Sequence, residues 1–290
     1  MFRGVLLSIF GLVCLVGFSI CLFVSDNLLM FWLFLELASL SLIPFFFLDS
    51  ESGVLVSLFS YVVVSGVSSS LVVSGLMFDD LLTLLVIGLL LKFGLFPFMG
   101  WVYVVLIYSN WLVVWGVSTI LKSSFLFFGF FLSGGWDSVL VEVCGGLTFI
   151  FIGFFFWLYT YGWVYYWSHA MISSSASLVV MSVELSPDLL LYVFMFYLFW
   201  ASMVVMLLSR LDGSRVPHLG YIFLLIFLLI SFPGSLSIFY KLFVGLCIYS
   251  CSLIVFLGWV FCSISEQFYL IKYLVGVGVP RTEWGVGITF

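Results

Sequence analysis

Apolar runs of about twenty residues recur from one end of the chain to the other, and no other feature restricts the fold as strongly. A helix of this length crosses the ~30 Å hydrocarbon core of a bilayer. Hydrophobic residues make up 65% of the chain and charged residues 7%, too few to give a soluble domain its polar surface. The runs are apolar on every side, which favours helices over the alternating strands of a membrane barrel. The sequence therefore predicts an all-α, polytopic transmembrane helical bundle.

Polar and helix-breaking residues divide the chain into about ten predicted helices. The amino-terminal run is expected to be a retained first helix, because no small-residue cleavage site follows it. We expect two inverted five-helix repeats at residues 1–132 and 133–273, followed by an extramembrane tail at 274–290. The predicted helices are 4–24, 27–48, 53–77, 80–109, 111–132, 139–159, 161–182, 187–209, 218–246 and 249–273.

The loop charges indicate a topology for these ten helices. When the loops are assigned alternately to two faces, five basic residues share the face of the amino terminus, whereas the opposite face receives acidic residues and no basic ones. This bias matches the positive-inside rule, so we place both termini on the positive side. The five basic residues are Arg3, Arg210, Arg215, Lys272 and Arg281.

Four charged residues lie in the middle of predicted helices: Glu36, Lys92, Lys122 and Lys241. A charge near the bilayer centre costs ~2.5–3.5 kcal/mol, so such residues face other helices or water and mark function by default. The alternatives are lysines that reach the interface and a glutamate that only bonds a neighbouring helix. A buried ammonium loses its proton more readily than one in water, and a nearby carboxylate favours its charged form. This combination suits a proton relay.

Two of these lysines lie beside predicted breaks in their helices. Lys92 precedes the segment Phe93–Pro97, which contains Gly94, and Lys241 follows Phe232–Ser235, which contains Pro-Gly. Proline removes an amide donor and clashes with the preceding turn, so each segment is predicted to be discontinuous. Broken helices at membrane depth line cavities or are buried in protein, and transporters place them in corresponding positions of two repeats.

The other chemically versatile residues give weaker signals. His169 in the seventh helix is a candidate proton shuttle, and an equally good interpretation is a histidine bonded to a neighbouring helix. The six cysteines form no C-x-x-C pair and lie in apolar runs, which indicates inert hydrophobes. The sequence contains neither an iron–sulfur cysteine pattern nor G-x-G-x-x-G, so we expect no cofactor and no metal in this chain.

The buried charges belong to motifs that resemble those of a known family, the NADH-ubiquinone oxidoreductase chain 2 family. Residues 31–44 resemble its W-x-x-x-E-x-x-x-x-x-x-I-P signature, and Lys92–Trp101 resembles its K-x-G-x-x-P-F-x-x-W break. Lys122 matches its next-helix lysine, and Ser168-His169 resembles its S-x-x-H region with altered spacing. Residues 232–241 resemble its second break, which is followed by a lysine.

This resemblance implies an antiporter-like, proton-translocating subunit of respiratory complex I, the H⁺-translocating NADH:ubiquinone reductase. Glu36 and Lys92 would form the coupling pair, Lys122 the central relay and Lys241 the relay or exit of the second half. NADH, flavin, iron–sulfur clusters and ubiquinone would be held by partner subunits. The expected location is the mitochondrial inner membrane with both termini on the matrix side. The expected partners are other membrane and peripheral subunits, membrane lipids and transported protons, with no nucleic acid.

Two other functions remain open on the sequence. The chain could be an independent cation/proton antiporter or a subunit of a multisubunit one, although a sodium site would need more buried oxygen ligands than are present. It could also be a structural membrane subunit whose charges only hold helices together. Purification within a large NADH-oxidising assembly would favour complex I, and transport by the chain alone would favour an antiporter.

Overall fold

The computed structural model describes residues 2–25, 27–48, 53–78, 82–127, 136–212 and 219–278. Every regular element in these residues is a helix, and the helices follow the order of the ten predicted segments. The predicted fold class, an all-helical membrane bundle, is therefore confirmed. The first half contains α1 (Phe2–Val24), α2 (Leu28–Leu40), α3 (Ile43–Phe46), α4 (Val54–Met77), α5 (Leu82–Phe93), α6 (Gly100–Ile107), α7 (Trp111–Ser118) and the 3-10 helix η1 (Ile120–Phe127).

In the described residues, the second half consists of six helices joined by short segments. Its last helix reaches Gly278, a few residues beyond the predicted end at 273. Residues 279–290, which make up most of the predicted tail, lie outside the described part of the chain. The elements are α8 (Trp136–Leu158), α9 (Trp163–Glu184), α10 (Pro187–Asp212), α11 (Leu219–Leu229), α12 (Leu236–Cys251) and α13 (Leu253–Gly278).

Six spans in the described residues are long and apolar enough to cross a membrane, judged by length and composition. The remaining crossings are either built from shorter helices or, in α9, rich in serine. These remaining crossings carry Lys92, Lys122, His169 and Lys241, whereas Glu36 and Glu266 lie on two of the six long spans. The six spans are Leu6–Val24, Leu29–Phe46, Val54–Met77, Ser138–Leu158, Pro187–Asp212 and Leu253–Gly276.

Helix α9 lies at the junction of the two halves. It packs against α5, α6 and η1 of the first half and against α8, α10, α12 and α13 of the second. Its side chains are buried along most of its length, including the serines Ser174, Ser175 and Ser177. Because α9 is enclosed by protein, its polar side chains face other helices instead of lipid.

The first predicted break is present between α5 and α6, where the chain is non-helical from Gly94 to Met99. Gly94 has φ +68°, a backbone conformation that favours glycine. A Cβ atom at this position would collide with the side chain of Val102. The turn therefore requires glycine both for its backbone and for the close approach of α6.

The backbone groups released at this break bond to side chains of other elements. The Trp101 indole on α6 donates to the Leu91 carbonyl at 2.9 Å, and the Phe96 amide donates to Thr148 Oγ1 on α8 at 3.1 Å. An unsatisfied backbone group at membrane depth costs several kcal/mol, so these contacts allow the helix to open there.

The second predicted break lies between α11 and α12, with Gly234 at φ +90° directly after Pro233. Gln267 on α13 bridges the open turn with both ends of its amide. Its Oε1 accepts from the Ser231 amide at 2.9 Å, and its Nε2 donates to the Leu229 carbonyl at 3.2 Å. One side chain from a neighbouring helix thus replaces two lost helical hydrogen bonds.

The prediction of one continuous helix over 111–132 is wrong, because α7 ends at Ser118 and η1 follows it. The Thr119 hydroxyl donates back to the carbonyl four residues earlier at 2.5 Å. The Ser118 carbonyl, which a continuous helix would use internally, accepts from Tyr197 on α10 at 2.7 Å. Hydroxyl groups that bond locally and a donor from another helix compete with the helical ladder. Lys122 therefore lies in the 3-10 helix η1 and not on a regular α-helix.

The predicted segment 27–48 contains one membrane-length span, Leu29–Phe46, which is interrupted where α2 ends at Leu40 and α3 begins at Ile43. Pro44 has no amide hydrogen to donate to the Leu40 carbonyl, so the helical ladder cannot continue through it. The Ser41 hydroxyl donates to the carbonyl three residues earlier at 2.7 Å, which stabilises the end of α2.

Some predictions fall outside what the structure describes. Arg215 and Arg281 lie in segments beyond the described residues, as does the side chain of Arg3. The assignment of both termini to the positive face and the inverted relation of the repeats 1–132 and 133–273 stay predictions.

Candidate functional site

An ion pair between Glu36 and Lys92 lies inside the first half. Lys92 Nζ is 3.2 Å from Glu36 Oε1, and the two side chains are 13% and 20% exposed, in that order. Lys92 occupies the last turn of α5, where the helix dipole favours a cation. Glu36 and Lys92, which the resemblance implies form a coupling pair, are therefore in direct contact. Their function stays a prediction.

Lys122 is buried between η1, α9 and α10, with 2% of its surface exposed. Its ammonium donates to the Met171 carbonyl at 2.8 Å, to Ser174 Oγ at 2.8 Å and to the Tyr197 hydroxyl at 2.9 Å. It also lies 4.8 Å from the centre of the Tyr197 ring. In the described residues no carboxylate lies within ion-pair distance of Lys122. Three neutral acceptors satisfy all its donors, but its charge is compensated only by dipoles.

A small cavity of about 40 Å³ connects the first pair to Lys122. Both Lys92 and Lys122 line it, together with hydroxyl-bearing side chains from α2, α4 and α9. A space of this size holds a few water molecules when polar groups line it. Proton transfer between the two lysines through water is therefore sterically possible. The hydroxyl-bearing lining residues are Ser39, Tyr61, Ser65 and Ser175.

A second ion pair, between Lys241 and Glu266, lies inside the second half. Lys241 Nζ is 2.7 Å from Glu266 Oε2, and the two side chains are 14% and 12% exposed. Tyr166 on α9 donates to the other carboxylate oxygen of Glu266 at 2.9 Å. The sequence analysis named Lys241 but missed Glu266. The signal was available, because Glu266 is an acid in the middle of an apolar span, as Glu36 is.

A further cavity of about 30 Å³ lies beside this second pair. Ser174, which accepts a hydrogen bond from Lys122, lines it together with Lys241 and Glu266. The two cavities and the three lysines form one buried polar axis, in the order Glu36–Lys92, Lys122, Lys241–Glu266. This set of five residues is called the lysine axis below.

The structure places His169 beside the lysine axis but not on it. Its Nδ1 lies 2.8 Å from the Tyr103 hydroxyl on α6, and its ring contacts Phe155 and Phe156. Its Nε2 is buried and has no hydrogen-bond partner among the described residues. His169 lines neither of the two small cavities.

Together, the fold and the site define a polytopic α-helical membrane protein with a line of ionisable residues through its interior. Among the described residues no three His, Cys, Asp or Glu side chains cluster closely enough to hold a metal ion. The chemistry that this site can perform with its own groups is the holding and transfer of protons.

Comparison with solved structures finds chains of similar fold. A chain of the membrane-bound sulfane sulfur reductase, an archaeal respiratory membrane complex, superposes with a TM-score of 0.70 over 85% of this chain. The two sequences are 14% identical, so the likeness concerns the fold. The match covers 61% of that chain, and this protein therefore spans less than two thirds of its length. No protein-family model and no curated protein sequence matches the chain.

Proposed function

We propose that this chain is a proton-translocating membrane subunit of a respiratory complex. The observation that carries the proposal is the lysine axis, in which Lys92 and Lys122 share one cavity, Ser174 joins Lys122 to the cavity of Lys241, and a carboxylate pairs with the lysine at each end. The fold shared with a chain of an archaeal respiratory membrane complex supports a membrane subunit of this kind.

The geometry favours proton transfer over a purely structural role, in which the charges would only hold helices together. A structural charge needs one partner, and a buried lysine at the junction of the two halves would be costly without a carboxylate. Lys122 has no such partner in the described residues and instead shares a cavity with Lys92. Burial without a carboxylate therefore disfavours the charged form of Lys122 more than that of the two paired lysines. Lys122 lies in the middle of the axis, where a relay needs a group that can exist with or without its proton.

Transfer would begin at the first pair. While Glu36 holds Lys92 at 3.2 Å, the charge of Lys92 is compensated and has little effect on its neighbour. If the carboxylate moves away or is neutralised, Lys92 becomes an uncompensated cation in a medium of low dielectric constant. Its repulsion then acts across the first cavity on Lys122 and favours passage of a proton toward the second cavity and Lys241.

Each proton moved against ~100 mV requires ~2.3 kcal/mol, and the sequence has neither an iron–sulfur cysteine pattern nor a dinucleotide-binding motif that would predict a redox source in this chain. We therefore propose that redox chemistry in partner subunits drives the first pair. The motifs quoted for the resemblance favour a complex I assembly, in which partners hold NADH, flavin, iron–sulfur clusters and ubiquinone. Its location would be the mitochondrial inner membrane, with lipids and other membrane subunits as neighbours.

The proposal is tested by replacing Glu36 with glutamine in the native assembly. The expected result is an assembled complex that oxidises its donor but moves fewer protons per electron, measured as proton uptake into vesicles. Recovery of the chain only within a large NADH-oxidising assembly would support the complex I assignment, whereas transport by the chain alone would favour an antiporter.

Glu184→Gln is the matched control, because Glu184 lies exposed at the end of α9 and touches none of the axis residues. It is expected to leave proton uptake per electron unchanged. If Glu36→Gln assembles and pumps as the control does, the axis is structural and the proposed function is wrong.

A further inference from the structure

The second ion pair has a geometry that a purely structural contact does not require. Glu266 accepts from Lys241 with one carboxylate oxygen and from Tyr166 with the other. It also lines the 30 Å³ cavity that Ser174 shares, so its carboxylate faces the side from which a proton leaving Lys122 would come. Glu266 and Lys241 thus both face the cavity on the side of Lys122.

Lys241 lies between two spaces. On its inner side is the 30 Å³ cavity that contains Glu266. On its outer side is a cleft of about 340 Å³ at the surface of the bundle, where the break between α11 and α12 faces α13. Ser231, Ser263 and Gln267 are among the residues around this cleft, although its wall is almost entirely apolar. Glu266 is not among the residues that line it, so Lys241 is the ionisable group that reaches both spaces.

We propose that Glu266 is a proton-transferring residue, which accepts the proton from the inner cavity and controls the release of protons by Lys241. This inference rests on the proposed function and extends it, since it assigns the final carboxylate of the axis. In the structure the ion pair is formed, with Lys241 Nζ 2.7 Å from Glu266 Oε2.

The cycle moves one proton in and one out. A proton arriving from the inner cavity binds a Glu266 oxygen, which becomes a neutral carboxylic acid and no longer holds the ammonium. Lys241 then turns away from Glu266 and gives a proton to water on the outer side of the pair. The neutral amine returns and takes the proton from the Glu266 carboxyl group, which restores the ion pair. No electron is transferred and no covalent bond changes except those to the moving protons.

The test compares Glu266→Gln, Lys241→Met and the double variant in the native assembly. Either single change leaves one buried charge unpaired and is expected to lower the amount of assembled complex. The double variant removes both charges, so assembly is expected to recover. Proton uptake per electron in the double variant is expected to fall as far as it does in Glu36→Gln. If the double variant assembles and pumps as the unmodified complex does, the pair only joins helices and the inference is wrong.

Glu266→Asp separates the two roles further. It keeps a carboxylate but shortens its reach, whereas Gln keeps the shape and loses the proton site. Proton transfer predicts more pumping in the Asp variant than in the Gln variant, and the reverse order would contradict the inference. Loss of pumping in Glu36→Gln together with normal pumping in the Glu266 variants would overturn the inference and leave the proposed function intact.

A second measurement does not depend on any variant folding. A hydrophobic carbodiimide modifies buried carboxyl groups in their protonated form, and peptide mass spectrometry locates the adduct. Glu266 in the unmodified complex is expected to be labelled during turnover and protected at rest, when the ion pair is closed. Equal labelling at rest and in turnover, or none in either, would contradict a proton on Glu266.

Discussion

The proposed proton path depends most strongly on Lys122. The other two buried lysines each contact a carboxylate, whereas Lys122 is surrounded by a carbonyl and two hydroxyls in the described residues. Hydrogen bonds to a charged group contribute ~1.5–3 kcal/mol each, so the charged form of Lys122 depends strongly on its neutral partners.

Tyr197 is the partner whose removal is easiest to interpret. Tyr197→Phe deletes the hydroxyl that accepts from Lys122 and donates to the Ser118 carbonyl. Loss of one charge-assisted hydrogen bond, worth ~1.5–3 kcal/mol, is expected to slow proton uptake through this subunit about tenfold. The rate is measured in vesicles under steady turnover. Tyr192→Phe on the same helix is the control, because Tyr192 is 70% exposed, and an equal effect of both changes would contradict a specific role.

His169 should behave differently from the lysines. It lies in an aromatic environment with Tyr103 and lines neither small cavity, so the proposed path does not pass through it. His169→Leu is expected to retain most proton uptake per electron while removing the hydrogen bond to Tyr103, which costs about 1 kcal/mol of stability. Proton uptake and thermal unfolding of the same preparation check both points. Loss of pumping at normal stability would place His169 on the path.

At the scale of helices, the two breaks depend on a few specific residues. The first needs Gly94 because φ is +68° and because a side chain there would meet Val102. Gly94→Ala is expected to destabilise the protein by about 1–3 kcal/mol. Gly100→Ala is the matched control, since no atom lies within 4 Å of the position of its Cβ. Thermal unfolding in detergent compares the two variants, and equal midpoints would show that the turn does not need glycine.

The second break depends on Gln267. Its replacement by leucine would leave the Ser231 amide without its side-chain partner, whereas the Leu229 carbonyl would keep the hydrogen bond from the Ser237 hydroxyl. Leaving a buried amide unsatisfied costs about 1–3 kcal/mol. A lower thermal midpoint and less assembled complex are therefore expected for Gln267→Leu. An unchanged midpoint would mean that water or a backbone shift satisfies the turn equally well.

The sequence predicted those elements whose cause is local. Both helix breaks were predictable, because proline and glycine act on their own backbone. The residues concerned are Gly94 and Pro97 in the first break and Pro233 and Gly234 in the second. The end of α7 at Ser118 was not predictable in the same way, because it depends on a hydroxyl from Tyr197, which lies on another helix. The line of cavities likewise depends on packing. Glu266 was predictable from the rule that identified Glu36, because both are acids in the middle of apolar spans.

At the scale of the whole molecule, the two halves are joined through α9. Its contacts with η1 and α12 allow a serine of α9 to bond Lys122 and to line the cavity of the second pair. The axis therefore crosses from one half to the other inside protein, with a carboxylate–lysine pair at each end and a lone lysine in the middle. The central claim is that protons move along this axis.

The most direct test is proton uptake per electron in vesicles that contain the complex with Lys122→Met. This change keeps an unbranched side chain one atom shorter than lysine and removes the group that carries the proton. Lys272→Met, near the exposed end of α13, is the matched control. The account predicts an assembled complex with lower uptake per electron for Lys122→Met and unchanged uptake for the control. Uptake equal to that of the unmodified complex in an assembled Lys122→Met complex would contradict it.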